Sequence, residues 1–317
     1  MKALVTGGAG FIGSHLAELL LRQGLEVVVL DNFSTGQISN LAWRRPGDRI
    51  EIVEGDLRDT GLVRRWIRGC DWVFHQAAVA SVAGSVDDPV GTHAQNLTGT
   101  LELLEAARQT GVRRVLLASS SAIYGDAGAG PVPESAPPHP LSPYALQKYA
   151  GERYAQLYHG LCGLETVALR YFNVYGPRQA PDSPYSGVIA RFCRQTLRNE
   201  PLVIYGDGAQ SRDFVFVEDV VRANLAAVLA PAERVAGKVV NVGTGRGRSV
   251  LDLVAALGTV SGRSIEPKHA PARPGEVRHS CADTQTARAL FEYSAQVSWE
   301  DGLRRTLDWY RSSREQE

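Results

Sequence analysis

The chain has 317 residues, 44% of them hydrophobic and 21% charged, and no window holds eighteen uninterrupted apolar residues, which argues against a membrane span. Its 34 basic and 34 acidic side chains cancel to a formal charge of zero, so it lacks the electrostatic footprint of a nucleic-acid binder. The four cysteines, Cys70, Cys162, Cys193 and Cys281, are scattered without metal-ligand spacing and read as buried free thiols; no metal is expected. The sequence enters an apolar run directly after Met1 without a signal-peptide pattern, so a cytoplasmic location is expected.

In chain order, short β-branched runs alternate with segments of helical spacing. The runs are Lys2–Thr6, Glu26–Leu30, Ile50–Glu54, Trp72–His75, Arg114–Ser119 and Thr166–Arg170. They are apolar throughout rather than alternating, as strands buried on both faces of a parallel sheet must be. The segments Gly13–Arg22, Leu57–Arg68, Thr98–Thr110 and Tyr144–His159 return an apolar residue every three or four positions and read as one-faced helices. The pattern predicts an α/β, doubly wound parallel sheet (a Rossmann fold) with a smaller C-terminal lobe that binds substrate. Beyond Arg170 the spacing loosens: Val174–Pro184 and Tyr205–Ser211 read as loops, Asp213–Val217 and Val239–Val242 as strands, and Glu218–Leu229 and a segment from Val250 as helices. The prolines of Pro267–Glu276 predict irregular chain there. Two lobes are expected, residues 1–172 with about 211–243 forming the cofactor domain and 173–210 with 244–317 the substrate lobe.

The first strand runs into Gly7-Gly-Ala-Gly10-Phe-Ile-Gly13 and then a helix. Glycines at that spacing permit a tight turn, let backbone approach a pyrophosphate, and pack helix on strand, while the helix N-terminus attracts negative charge. Asp31 ends the second strand eighteen residues after Gly13, where a carboxylate can accept both ribose hydroxyls and repel the extra phosphate of NADP. NAD is therefore the expected cofactor, and Asp56-Leu57 after the third strand would lie beside the adenine.

Tyr144 and Lys148 stand four residues apart just past Pro143 and so project from one helix face. That spacing alone is common on solvated helices. Its setting is not: the strand Arg114–Ser119 ends in Ser119-Ser120-Ser121 at the carboxyl edge of the sheet, and hydroxyls buried there cost about 1–3 kcal/mol unless paired.

With these features the chain resembles the extended short-chain dehydrogenase/reductase superfamily, specifically its nucleotide-sugar epimerases, dehydratases and decarboxylases. The resemblance rests on Thr6–Gly13, Asp31-Asn32, Gly55-Asp56-Leu57, His75–Ala78, Asn96 before Gly99-Thr100, Ser119–Gly125, Tyr144/Lys148, Arg170–Arg178, Ser211–Asp213 and Arg273–Asp283. It implies Ser120, Tyr144 and Lys148 as the catalytic group, although counting from the strand start would choose Ser121. Tyr144 would exchange the proton of a sugar hydroxyl, with Lys148 lowering its pKa and holding the nicotinamide ribose. The cofactor set implied with them is Gly7, Gly10, Phe11, Ile12, Gly13, Asp31, Asn32, Ser34, Gly36, Asp56, Leu57, Ala77, Ala78, Ala80, Asn96, Ser119, Tyr171 and Phe172. Substrate would meet Ser120, Ser121, Tyr144, Asn173, Val188, Tyr205, Arg212, Arg273 and Ser280, the two arginines as diphosphate forks.

Within the family, dehydratases carry an Asp-Glu pair after the catalytic residue and glucuronate decarboxylases a glutamate; here those places hold Ser121 and Ala122, and alanine cannot transfer a proton. The expected reaction is therefore 4-epimerisation of a UDP-sugar, UDP-glucose/UDP-galactose first. The rivals are glucuronate 4-epimerisation, 4,6-dehydration, net dehydrogenation or a non-catalytic NAD sensor. Ser280 falls where galactose-restricted epimerases carry tyrosine, which predicts room for N-acetylated sugars. The resemblance also implies a homodimer through helices near Thr98–Thr110 and Tyr144–His159.

Overall fold

The computed structural model describes residues 1–180, 187–272 and 277–314. Seven strands, β1 Lys2–Thr6, β2 Glu26–Asp31, β3 Ile50–Glu54, β4 Trp72–His75, β5 Arg114–Ser120, β6 Glu165–Tyr171 and β7 Lys238–Val242, form one parallel sheet in the order β7-β6-β5-β4-β1-β2-β3. The unbroken apolar runs have a direct explanation in the two faces. Val27 and Val29 enter one core with Leu16, Ala17 and Leu20 of the helix Phe11–Arg22 and Val220 of Val217–Leu229. Val28 and Leu30 enter the opposite core with Val63 and Ile67 of Thr60–Ile67 and Leu103 and Leu104 of Gly99–Thr110. Each such side chain taken from water contributes roughly 1.5–3 kcal/mol, so the central strands are held from both sides.

The strand order reverses between β1 and β4. Connections there diverge to opposite faces, and a crevice opens at the carboxyl ends of the strands. β5 and β6 end beside it, bringing Ser119 and Ser120 level with Arg170 and Tyr171.

The substrate lobe is made of short pieces. Ser211–Phe216 pairs antiparallel with Gly247–Ser249 and parallel with both His279–Ala282 and Asn173–Tyr175, and His279–Ala282 pairs with Pro131–Val132. A separate pair joins Val203–Tyr205 to Lys268–Ala270. Phe192, Phe216, Leu253 and Leu307 fill a third core among these strands and the helices Val188–Arg198, Val250–Ser261 and Trp299–Arg314.

Two sequence expectations change. Lys268–Ala270, inside the stretch expected to be irregular, is a strand, because Pro267 stands just outside it and leaves its own N–H groups free to pair. Within 211–243, the stretch expected in the cofactor domain, Lys238–Val242 joins the main sheet and Val217–Leu229 packs in its core, while Ser211–Phe216 pairs with short strands outside it. Cys70 and Cys193 are buried free thiols, but Cys162 is exposed at the end of the helix Pro143–Cys162 and Cys281 is half-buried. No described helix is long and apolar enough to cross a membrane.

Candidate active site

A cleft of about 1080 Å³ opens at the strand-order switch, at the upper end of the ~300–1000 Å³ that suits one ligand. Its floor is the glycine turn. Gly7 has φ +65°, and a Cβ there would lie 2.7 Å from the Cα of Ala77; at Gly13 it would lie 2.1 Å from the Gly7 carbonyl oxygen. Only glycine satisfies both contacts. Gly10 caps the following helix without a side-chain bond, and the helix's first turn carries no acidic residue. Its leading N–H groups therefore face the cleft with their partial positive charge unneutralised, as a pyrophosphate requires.

Asp31 closes one end. One of its oxygens accepts the Ala9 N–H and the other the Phe33 N–H, both at 2.9 Å, which fixes the carboxylate while leaving a lone pair on each oxygen for a ribose diol. A Cβ on Gly36 would lie 2.8 Å from both oxygens, so Gly36 serves by its smallness rather than by touching the ligand. Asp56 accepts two side-chain bonds from Arg58 and one from Asn32, and the Arg58 guanidinium holds its carboxyl far below the usual range. These are the features of a dinucleotide site: a cradle closed to any Cβ, an uncapped helix start, and an oriented carboxylate. The residues present fit NAD.

The chemistry faces this cradle from the helix Pro143–Cys162, which begins with Ser142 accepting the Ala145 N–H and Pro143 in its first turn. Tyr144 and Lys148 line the cleft. Lys148 Nζ sits 5.9 Å from the Tyr144 ring centroid and donates to the Ala118 carbonyl at 2.8 Å. The Ser120 hydroxyl accepts the Ala122 N–H at 3.2 Å and acts on the Tyr144 phenol, partly offsetting the effect of its burial. Ser119 turns instead to the Glu152 carboxylate at 2.6 Å, and Ser121 opens the short helix Ser121–Tyr124. Ser120 is thus the serine of the three that acts on the Tyr144 phenol. Burial raises the Tyr144 pKa, a rise the Ser120 bond partly offsets. Burial also draws Lys148 down to about 8, against the charge of Glu152.

Of the other expected cofactor residues, Phe11, Ile12, Asn32, Ser34, Leu57, Ala77, Ala78, Ala80 and Tyr171 lie on the cleft wall. The Tyr171 hydroxyl is bound to Asn224 and Gln76, so the phenol is a fixed wall rather than a free donor. Phe172 packs against Tyr124 in a small cluster with Val132 and Ala282. Asn96 is buried, exchanging bonds with the Val79 backbone and donating to Gln147 at 2.8 Å, which ties the Pro143–Cys162 helix to the wall. Gln76 and Arg178, inside quoted motifs but given no role there, also line the cleft, as do Val79, Ser81 and Gln95, which only their proximity to the motifs marked.

Of the expected substrate residues, Asn173, Val188, Tyr205, Arg212 and Ser280 lie on separate elements of the lobe and not on the cleft wall. Arg212 stands in register with Ser280 on one neighbour and Arg248 on the other, so one guanidinium-bearing position adjoins Ser280 and a second adjoins Arg212. Arg248 was not anticipated; the Gly-Arg-Gly-Arg repeat that carries it is its only sequence trace. Asn173 pairs with Phe214 on the same strand, Val188 starts the helix Val188–Arg198, and Tyr205 ends Val203–Tyr205. Arg273 lies outside the described residues.

A dinucleotide cradle facing a Ser-Tyr-Lys group defines a Rossmann-fold enzyme that couples proton exchange at a hydroxyl to hydride chemistry. The comparisons with known proteins make this specific: residues 3–243 match the model of the NAD dependent epimerase/dehydratase family. The UDP-glucose 4-epimerase of Mycolicibacterium smegmatis is 40% identical over 316 residues, 98% of this chain and 99% of that one. The UDP-glucose 4-epimerase of Thermotoga maritima, solved with UDP-glucose, superposes with a TM-score of 0.92 at 41% identity and 99% coverage of both chains. That of Thermus thermophilus, solved with NAD, gives 0.89 at 41% identity, covering 99% of this chain and all of the other. The chain belongs to the NAD-dependent epimerase/dehydratase family; it is an enzyme, and its cofactor is NAD.

Proposed function

We propose that this protein is a cytoplasmic, homodimeric UDP-sugar 4-epimerase, acting on UDP-glucose and UDP-galactose and accepting their N-acetylated counterparts. One observation carries the reading: Tyr144 and Lys148 line the cleft, Ser120 acts on the Tyr144 phenol, and no acid stands at Ser121 or Ala122 to assist elimination or decarboxylation. Relatives named for UDP-glucose support the choice of sugar, and Arg212, in register between Arg248 and Ser280, supplies charge for a diphosphate beside a small side chain. The helix Pro143–Cys162 exposes Leu146, Leu157 and Leu161, an apolar face suited to a second copy.

Bound NAD supplies a two-electron acceptor and a positive charge beside the phenol. The residues do the rest. The substrate's 4-hydroxyl sits between Ser120 and Tyr144; Tyr144, drawn toward phenolate by surrounding positive charge, takes the hydroxyl proton as the C4–H bond breaks with its electron pair. Ser120 hydrogen-bonds the developing carbonyl oxygen. The 4-keto sugar then presents its other face, and Tyr144 returns the proton to the oxygen as hydride is restored to C4. Lys148, fixed by the Ala118 carbonyl, keeps its ammonium near the phenol throughout.

The test is product analysis by NMR over a panel of UDP-, dTDP- and GDP-sugars, run on the native enzyme and on Tyr144→Phe. Interconversion of the C4 epimers of UDP-hexoses is expected with no net absorbance of reduced nicotinamide, and Tyr144→Phe should lower turnover by about 10³-fold while retaining NAD. Loss of water or carbon dioxide, or undiminished turnover in Tyr144→Phe, would sink the reading.

A further inference from the structure

The proton chemistry uses Tyr144 and Lys148, but the same helix face continues one turn further to Glu152. This carboxylate is 2% exposed. Ser119 donates to one of its oxygens at 2.6 Å, and Arg170 grips it with two parallel bonds of 2.8 and 2.7 Å from Nε and Nη2. Arg170 is itself stacked 4.7 Å over the Tyr124 ring and reaches the Glu134 carbonyl at 3.4 Å. A buried ion pair of this kind is weak evidence for stability, because desolvating two charges offsets most of their attraction. Its position suggests another use.

We propose that Glu152, locked in place by Arg170 and Ser119, is a positioning residue that holds Lys148 as an ammonium behind Tyr144. Residues four apart on a helix bring their side chains together. Lys148 has one carbonyl partner, that of Ala118, and burial opposes its charge. A fixed carboxylate one turn away opposes that loss, and Arg170 prevents the carboxylate from swinging onto Lys148 to neutralise it directly. Ser119, at the strand end, sets the rotamer. The arrangement rests on the reading of Tyr144 and Lys148 as the proton-handling pair.

Among the described groups around Lys148, Tyr144 and His75 are neutral, and the charged one, Arg170, is paired with Glu152. Tyr144 is held protonated in the protein alone, as burial raises it. His75, on β4, is neutral, and its tautomer follows from its partners. Thr100 donates its hydroxyl proton to the Asn96 carbonyl at 2.6 Å, so it can only accept from His75 Nε2 at 2.8 Å. His75 Nδ1 then accepts from the Thr6 hydroxyl at 2.8 Å, which in turn accepts the Ala77 N–H at 3.3 Å. Burial and the Lys148 charge push His75 down to about 3, consistent with a ring that stays neutral. Arg170, on β6, lies against the carboxylate that it orients.

The chain's lysine content makes the proposal measurable. Only Lys2, Lys148, Lys238 and Lys268 occur, so lysine Cε resonances in protein labelled with ¹³C lysine can be followed through a pH titration, with Lys148→Arg assigning the signal. In Glu152→Gln the Lys148 titration should move down by roughly one pH unit, and the alkaline limb of kcat should move with it, because the ammonium is lost at lower pH. Glu152→Gln leaves the Arg170 charge buried, so Glu152→Gln/Arg170→Met, which removes both charges together, serves as the folding control and should shift the same way by a smaller amount. A Lys148 titration unmoved in both variants, whatever their thermal stability, would overturn the proposal. A titration that moves while the kcat limb stays fixed supports the role of Glu152 and overturns instead the use of the Lys148 charge in turnover.

Discussion

The cofactor half and the substrate lobe are built on different principles. In the cofactor half, consecutive residues do the work: Gly7, Gly10 and Gly13 shape one turn, and Asp31 accepts the N–H groups of Ala9 and Phe33 within 22 residues of itself. In the lobe, function depends on pairing between distant short strands. Asp213 accepts the Thr244 N–H and hydroxyl on one oxygen and the Gly245 and Ala282 N–H groups on the other, joining three segments up to 69 residues apart. A local motif tolerates no side-chain growth, whereas a long-range junction depends on a few buried polar contacts.

This contrast also decides what the sequence reveals. The seven-stranded sheet is legible because its strands, 4 to 7 residues long, are built on short apolar, β-branched runs bounded by turn signals; the edge strand Ile50–Glu54, with Glu51 inside it, is the least regular. Two- and three-residue strands such as Pro131–Val132 and Lys268–Ala270 have no measurable period; they exist because a partner supplies their hydrogen bonds. The candidate site divides the same way. The glycine turn, Asp31 and the Tyr144/Lys148 pair stand out in sequence, since their spacing is their geometry. The choice between Ser120 and Ser121 does not, since it turns on where β5 ends and the short helix Ser121–Tyr124 begins. Arg114 is the extreme case. It opens β5, is 1% exposed, pairs with Glu165, and donates to the carbonyls of Val228 and Ala230 at the end of the helix Val217–Leu229. A basic residue at a strand start otherwise reads as surface.

The sharpest way to break the contrast is to add one methyl group to the turn. In Gly13→Ala the new Cβ would meet backbone atoms of Gly7 and Gly8 at 2.1 to 2.8 Å, and backbone in so tight a turn cannot yield cheaply. Titration of the purified variant with NAD is expected to show affinity reduced on the order of 100-fold, and turnover lost with it. Unchanged affinity would mean that the turn relaxes, and that the cofactor half is no stricter than the lobe.

In the lobe, Asp213→Asn keeps the shape but turns one oxygen into an amide donor facing N–H groups. The mismatch of a buried donor costs about 1–3 kcal/mol, so KM for the nucleotide sugar should rise by roughly 30-fold while NAD affinity holds. An equal loss of both affinities would show that Asp213 supports the whole molecule rather than the junction beneath Arg212 and Ser280.

The smallest expected effect is the most selective. Ser280 is half-buried and sits directly across from Arg212, so a side chain added there extends from a fixed strand rather than from a mobile loop. Ser280→Tyr would place a ring where an N-acetyl group at C2 is proposed to fit, whereas a 2-hydroxyl asks for less volume. Discrimination by pocket volume alone is worth about 1–3 kcal/mol, and the strand leaves the ring some freedom to turn aside, so the lower end applies. The ratio of kcat/KM for UDP-galactose over UDP-N-acetylgalactosamine should rise about tenfold, with kcat/KM for UDP-galactose changed less than about twofold. If both sugars slow together, the ring is obstructing the nucleotide or its diphosphate, and Ser280 belongs to the anchoring of Arg212 rather than to the choice of sugar.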